Sequence, residues 1–240
     1  ELPVSATEDR VVGTLDIEAA IQHGRKEFEA GILAAANRNI LYVDEINLLE
    51  DHIVDILLDS AAMGINTVER EGISYAHPAR FVLVGTMNPE EGDIRPQLLD
   101  RFALSVTVKG EREPKERIEV IKRRIAYEKD AEEFAASYAE AQADLCGRLE
   151  RARELLRSVS VPEAMLEKAA RISLALGVDG HRADITLIKA AMANAAFSGR
   201  KEVATEDMKA VSRLVLAHRL RRRPFEEGEV DWTVVDDVLA

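Results

Sequence analysis

The sequence predicts a chain in two parts, an α/β unit over residues 1–110 and an all-helical unit over 111–240. Three observations carry this. Two short apolar runs, Ile40-Leu41-Tyr42-Val43 and Phe81-Val82-Leu83-Val84-Gly85-Thr86, are β-prone and bounded, as buried parallel strands are. A helical pattern and a hairpin pattern separate them. From Glu111 onward the periodicity is almost wholly helical.

Each element has its own signal. The first run ends in two acids, Asp44-Glu45. The stretch Leu48–Ala62 then places Leu49, Ile53, Ile56 and Leu57 on one helical face, and Gly64 ends that helix. Asn66–Arg70 and Ile73–Ala76 flank Glu71-Gly72, which reads as a hairpin turn. Pro78 breaks the pattern before the second strand. Strand, helix, hairpin and strand in that order fit a doubly wound α/β sheet with an inserted hairpin.

In the second part, Pro114 suits the first position of a helix bearing Ile118, Ile121 and Ile125. Ala131–Arg157 alternates charge and alanine over a thin apolar stripe, which predicts an exposed helical arm. Ser160-Val161-Pro162-Glu163 opens another helix, and Asp184–Phe197 is a third. A fourth begins at Thr205-Glu206-Asp207 with Thr205 as N-cap and carries Val211, Leu214 and Val215. The tail Val230–Leu239 packs as a last short element.

Composition bounds the function. Of 240 residues 47% are apolar, 32% charged and 5% aromatic, which describes a helix-rich protein with a real core. No apolar run approaches the roughly 18 residues of a membrane span. The net charge of −12 argues against general binding to nucleic acid or acidic membranes. Against it stands the run Arg219-Leu220-Arg221-Arg222-Arg223, which suits a helix C-terminus or an acidic partner. The single cysteine, Cys146, reads as a plain thiol in a reducing compartment. No pair of His, Cys or acids, His77 included, has metal-ligand spacing.

The chemistry concentrates where the first strand ends. A buried strand fixes Asp44 and Glu45 at the carboxyl edge of a sheet, where α/β folds bind ligands. Asp44 can hold Mg²⁺ through water, since that cation prefers hard oxygen ligands. Glu45 can polarise a water that attacks a γ-phosphorus. A bland reading is a solvated acidic turn. The second strand ends in Thr86-Met87-Asn88-Pro89, and the amide of Asn88 can hold that water opposite Glu45; an Asn-Pro turn is the plain alternative.

This acid pair resembles the Walker B pattern of AAA+ ATPases, and Asn88 is similar in place to their sensor 1 residue. Arg95-Pro96-Gln97-Leu98-Leu99-Asp100-Arg101-Phe102 resembles their arginine-finger segment, so that Arg101 would reach a γ-phosphate bound by a neighbouring subunit. An Asp100–Arg101 surface pair is the alternative. Gly180-His181-Arg182-Ala183-Asp184 opens a helix with an arginine that the helix dipole disfavours. Arg182 matches the sensor 2 arginine of AAA+ lids, with a solvent-facing arginine as the alternative.

Longer passages narrow the resemblance. Ala6–Asp16, Asp44-Glu45-Ile46-Asn47-Leu48-Leu49, Val68–Ser74, His77-Pro78-Ala79-Arg80-Phe81, Asn88-Pro89-Glu90-Glu91-Gly92, Arg95–Phe102 and Ala217–Arg222 are similar to the ATPase subunit I family of magnesium chelatases. The resemblance implies an AAA+ core followed by an all-α lid. It implies ATP and Mg²⁺ as cofactors, with catalytic Glu45, Asn88, Arg101 and Arg182 and with Asp44 and Arg182 binding the nucleotide. It also implies a homo-oligomeric ring, a hexamer, working with chelatase subunits D and H to insert Mg²⁺ into protoporphyrin IX. The setting would be cytoplasm, or plastid stroma in a plant or alga. Two insertions in the core are implied, one around Gly13–Gly31 and one at the hairpin near Asn66–Ala76. Related readings are a cobalt chelatase motor, a MoxR-like chaperone and a non-hydrolysing scaffold. One departure stands out: no Gly-x-x-x-x-Gly-Lys-[Ser/Thr] phosphate loop occurs. In the family it lies upstream of the segment that begins at Glu1, so the expectation is a fragment that neither binds ATP well nor hydrolyses it alone.

Overall fold

A computed structural model describes residues 1–16, 27–70, 73–220 and 231–240. The Glu71-Gly72 turn and Arg221–Arg223 lie outside the described residues, as does the middle of the first insertion. The chain divides into two compact units, Glu1–Phe102 and Ala103–Ala240.

The first unit begins with α1 (Glu8–Val12), the antiparallel pair β1 (Gly13–Asp16) and β2 (Glu27–Ala30), and α2 (Ile32–Ala35). Next come β3 (Ile40–Val43), a 3₁₀ turn over Ile46–Leu48, and α3 (Asp51–Met63). The hairpin β4 (Ile65–Arg70) and β5 (Ile73–Pro78) follows, then β6 (Val82–Gly85), a 3₁₀ turn over Pro89–Glu91 and α4 (Pro96–Leu99). β3 and β6 are parallel, with Val43 opposite Gly85. Leu2 bridges Val43 in parallel as well, its N–H donating to the Tyr42 carbonyl at 2.8 Å. The helix-plus-hairpin crossover between two parallel strands is the order that the sequence predicts.

α3 forms because its apolar residues recur on one face. Ile53, Val54, Leu57 and Leu58 are buried there, with Leu49 just before the helix. Each such side chain contributes about 1.5–3 kcal/mol when removed from water. Gly64 ends the helix in the left-handed region at φ 70°, its N–H on the Ser60 carbonyl at 2.8 Å. The opposite face carries Asp51, Asp55 and Asp59.

Burial on both strand faces, expected from the continuous apolar runs, is corrected. Leu41 and Val43 are buried while Ile40 is 66% exposed, and on β6 Val82 is 62% exposed. An apolar run fits a strand covered on both faces, but among the described residues only one face is packed. The two hairpins meet through a stack of Phe28 on Tyr75 with centroids 4.2 Å apart. Beneath it, Asn66 Nδ2 donates to the Val12 carbonyl at 3.0 Å and lies 2.9 Å from His77 Nε2.

In the second unit, residues 104–112 carry no helix or strand. Its helices are α5 (Pro114–Lys129), α6 (Ala131–Ser137), α7 (Ala139–Leu156), α8 (Glu163–Ala175), α9 (Arg182–Phe197), α10 (Thr205–Leu216) and α11 (Thr233–Leu239). Ile172, Leu187, Met208, Val215, Leu216 and Leu239 form the core, and Ala183, Ala191 and Ala195 leave α9 thin enough to pack closely. α6 and α7 are the exposed arm that the sequence predicts, with Ala152 and Leu155 of α7 resting on the core. Cys146 is exposed on α7. Ile118, Ile121 and Ile125 of α5 are also exposed.

Thr205 is not the N-cap. Ala204 holds that position, and the Asp207 carboxylate accepts from its N–H at 2.9 Å. An acid three residues into a helix can cap it from inside, which is why the Thr-x-Asp pattern misplaces the start by one residue. Arg219 lies past the end of α10 and donates to the Val215 carbonyl, where a cation suits the helix dipole. No helix among the described residues is long and apolar enough to cross a membrane.

Candidate active site

The parallel register builds the site. With Val43 opposite Gly85, the next residue on each strand comes level, and Thr86 meets Asp44. Thr86 is tied to the neighbouring strand end by four hydrogen bonds. Its N–H donates to the Val43 carbonyl at 3.0 Å and its carbonyl accepts from Ile46 N–H at 2.9 Å. Its hydroxyl donates to Asp44 Oδ1 at 2.5 Å and accepts from Glu45 N–H at 3.1 Å. Glu45 sits in the left-handed region, φ 52° and ψ 51°, a conformation that non-glycine residues seldom adopt and that these contacts hold. Gly85 matters here because a Cβ on it would stand 3.0 Å from Ile46 Cγ2, the residue that turns the chain away from the acids.

The two carboxylates are driven apart. Hydrogen bonds from Thr86, and then from the Tyr42 hydroxyl, hold Asp44 below the usual carboxylate range. The Tyr42 bond is 2.9 Å, and the same carboxylate holds the phenol's own proton more tightly than usual. Glu45 moves the other way, raised by the negative charge of Glu91, then by desolvation, then by Asp44. The pair therefore offers a firmly ionised acid beside a carboxylate with enhanced proton affinity, the division of labour that acid–base sites use.

Asn88 stands at the exit of β6 and accepts from Glu90 N–H at 3.2 Å, which forms the turn that carries Glu91. Asn47, just after the acids, donates to the Gly92 carbonyl at 3.2 Å and fastens this second loop to the first. Arg101 is turned onto its own unit: its Nη1 lies 2.7 Å from Asp55 and 3.0 Å from Asp59 on α3. Arg182 is the first residue of α9 in the second unit and is exposed, with Asp184 in the same turn. The structure thus gathers Asp44 and Glu45 with Tyr42, Thr86 and Glu91. Asn88 stands on the turn that carries Glu91, and Arg101 is placed on the α3 acids.

Thr86, Glu91, Asp55 and Asp59 go unread in the sequence. Aligning the two strands by their ends would have found Thr86, which stands one residue past Gly85 as Asp44 stands one past Val43. The acids on α3 are legible as a four-residue repeat, but their partner is not.

The residues fit a hydrated magnesium ion. Both hydroxyls reach Asp44 Oδ1, leaving Oδ2 of an ionised carboxylate to accept from a cation's water. Among the described residues no group of three His, Cys, Asp or Glu could cage a metal. A lone hard-oxygen donor suits Mg²⁺ whose other ligands are waters and phosphates.

Residues 2–102 match the family model "AAA domain (dynein-related subfamily)", and 166–238 match "AAA lid domain". A magnesium-chelatase subunit ChlI homolog of Methanocaldococcus jannaschii is 53% identical over 99% of this chain and 65% of its own length. The magnesium-chelatase 38 kDa subunit of Cereibacter sphaeroides is 53% identical over 95% of this chain and 68% of its own. The chain therefore spans about two thirds of the length of these relatives, 65% and 68%. A crystal structure from Cytophaga hutchinsonii shares the fold with a TM-score of 0.67 at 20% identity, covering 98% of this chain and 73% of that one. Identity above half with the subunit I sequences, together with an AAA domain and its lid, means that the chain belongs to the magnesium-chelatase subunit I family of AAA+ proteins.

Proposed function

We propose that this chain carries the water-activating and arginine-bearing part of an ATP-hydrolysing motor that drives Mg²⁺ insertion into protoporphyrin IX. The observation that supports it most is the acid pair at the carboxyl end of β3, clamped by Thr86 across the parallel register. MgATP, when bound, supplies the transferring phosphoryl group and a cation that spreads its charge. Asp44 holds the hydrated cation. Glu45 accepts a proton from the attacking water, which its raised proton affinity favours. Asn88 orients that water from the neighbouring strand. Arg101 stabilises charge on a γ-phosphate in an adjacent copy, and Arg182 of the helical lid, residues 111–240, contacts the phosphate from its own subunit. The working form on this reading is a homo-oligomeric ring, a hexamer, acting with chelatase subunits D and H in cytoplasm or plastid stroma.

The test is Glu45→Gln in the full-length gene product. Turnover of ATP should fall by about 10²–10⁴-fold while ATP binding is retained. The same variant should lose its stimulation of metal insertion when combined with subunits D and H. Unchanged turnover would sink the motor reading in favour of a scaffold.

A further inference from the structure

The face of α3 opposite its buried one carries Asp51, Asp55 and Asp59 at four-residue intervals, which puts the three carboxylates in one row. The segment that brackets α4 lies along that row. Arg95, before α4, pairs with Asp51, and Arg101, after it, pairs with Asp55 and Asp59. α4 has only four residues, too few to hold an orientation by its own hydrogen bonds. Leu98, buried, and Ile94 and Phe102, packed against the core, hold the segment, and the carboxylates take the arginines at its two ends. Asp55 and Asp59 would repel each other across one helical turn, so the guanidinium between them is drawn to a single place.

The way Arg101 is gripped matters. Both acids take the same amino group, Nη1. A guanidinium has five N–H donors in a planar fork, so Nε and Nη2 keep theirs for another acceptor. Ion pairs this exposed add little to stability, whereas a fixed fork is what a phosphate oxygen requires of an arginine.

We propose that Asp55 and Asp59 are positioning residues for Arg101, holding its guanidinium by Nη1 so that Nε and Nη2 are presented to a phosphate on a neighbouring copy of this chain. The inference rests on the reading of Arg101 as a finger that acts between subunits.

The test uses the full-length protein and three variants: Asp55→Asn/Asp59→Asn, Arg101→Ala and Glu45→Gln. The double asparagine variant should lower kcat for ATP about tenfold, as a misoriented catalytic contact does, with KM within about twofold. Mixing it with Glu45→Gln should restore turnover, because a site with intact Glu45 then receives an intact, positioned arginine from its neighbour. A merely structural defect in the asparagine subunits would not be cured this way. Wild-type kcat in the double variant would overturn the inference. So would a loss that mixing does not cure while the Arg101→Ala and Glu45→Gln mixture recovers. Failure of that second mixture to recover, or full activity of Arg101→Ala alone, would overturn the finger reading itself.

Discussion

Arginine meets aspartate in two settings in this chain. In the helical unit, Asp207 is 0% exposed and accepts from Arg200, from Asn194 Nδ2 at 2.7 Å and from Ala204 N–H at 2.9 Å. In the α/β unit, the Arg101 side chain is 33% exposed and its partners Asp55 and Asp59 are 48% and 60% exposed. The chemistry is the same and the surroundings are not. A buried carboxylate with every oxygen engaged cannot change partner without leaving a charge stranded in the core. An exposed one exchanges its partner for water at little cost. The first arrangement belongs to the fold, tying α9, the α9–α10 turn and the start of α10 together. The second, as proposed above, aims an arginine and leaves Nε and Nη2 to another acceptor.

Asp207→Ala is the change that presses hardest on this contrast. It leaves Asn194 without its acceptor, Arg200 with only the exposed Glu206 at 3.5 Å, and the α10 start without its cap. Unfolding of the helical unit should become easier by about 3–5 kcal/mol, measured by denaturant melting followed at Trp232. Asp55→Asn/Asp59→Asn should cost the α/β unit less than about 1 kcal/mol, measured by hydrogen exchange of the α3 amides. Equal losses would erase the distinction between a pair that holds the fold and a pair that aims a side chain.

Thr86 serves the acids through a hydroxyl that carries no charge, and Thr86→Val removes it. The main-chain bonds to Val43 and Ile46 survive the change, so stability should alter little. The hydrogen bonds to Asp44 and Glu45 do not survive. Asp44 should rise toward the ordinary carboxylate range, and Glu45 should lose one of the contacts that hold its left-handed backbone. Loss of a supporting group of this kind lowers metal affinity or turnover by about 10–100-fold. The readout is the Mg²⁺ dependence of ATP hydrolysis in the full-length protein. Turnover within twofold of wild type at every Mg²⁺ concentration would remove Thr86 from the site.

What was legible in the sequence follows the range of the interactions. β3, α3 with its Gly64 stop, the β4–β5 hairpin, β6 and the α8–α11 helices are written in local periodicity and punctuation, and they stand where the sequence puts them. Asp44 and Glu45 were legible because a strand end announces itself. Thr86 was not, since its role exists only once residues more than forty positions apart come into register. The same holds for Arg101, whose acids lie on α3, 42 and 46 residues earlier in the chain. The one-sided exposure of β3 and β6 was hidden for another reason: an apolar run records that a side chain prefers burial, not what covers it. The misplaced Thr205 cap shows local chemistry failing at its own scale, where a hydroxyl and a carboxylate two residues apart compete for the same job.

Glu91 and Glu45 set acid against acid rather than arginine against acid. Glu91 is the first cause of the raised proton affinity of Glu45, ahead of desolvation and of Asp44. To accept a proton Glu45 must be ionised, so turnover is lost as pH falls through its pKa in the folded protein. Glu91→Gln removes the repelling charge and lowers that pKa, and the acidic limb of the kcat profile should therefore move to lower pH. At neutral pH the weaker base should cost at most about a few-fold in rate. The linkage to stability has the matching sign. A carboxyl whose pKa is raised by folding penalises the fold once pH exceeds that value and has no effect below the ordinary one. The Glu91→Gln protein should thus gain stability relative to wild type at neutral pH and none in strong acid. An acidic limb that stays in place would show that Glu91 does not set Glu45, and would leave desolvation and Asp44 as what raises its proton affinity.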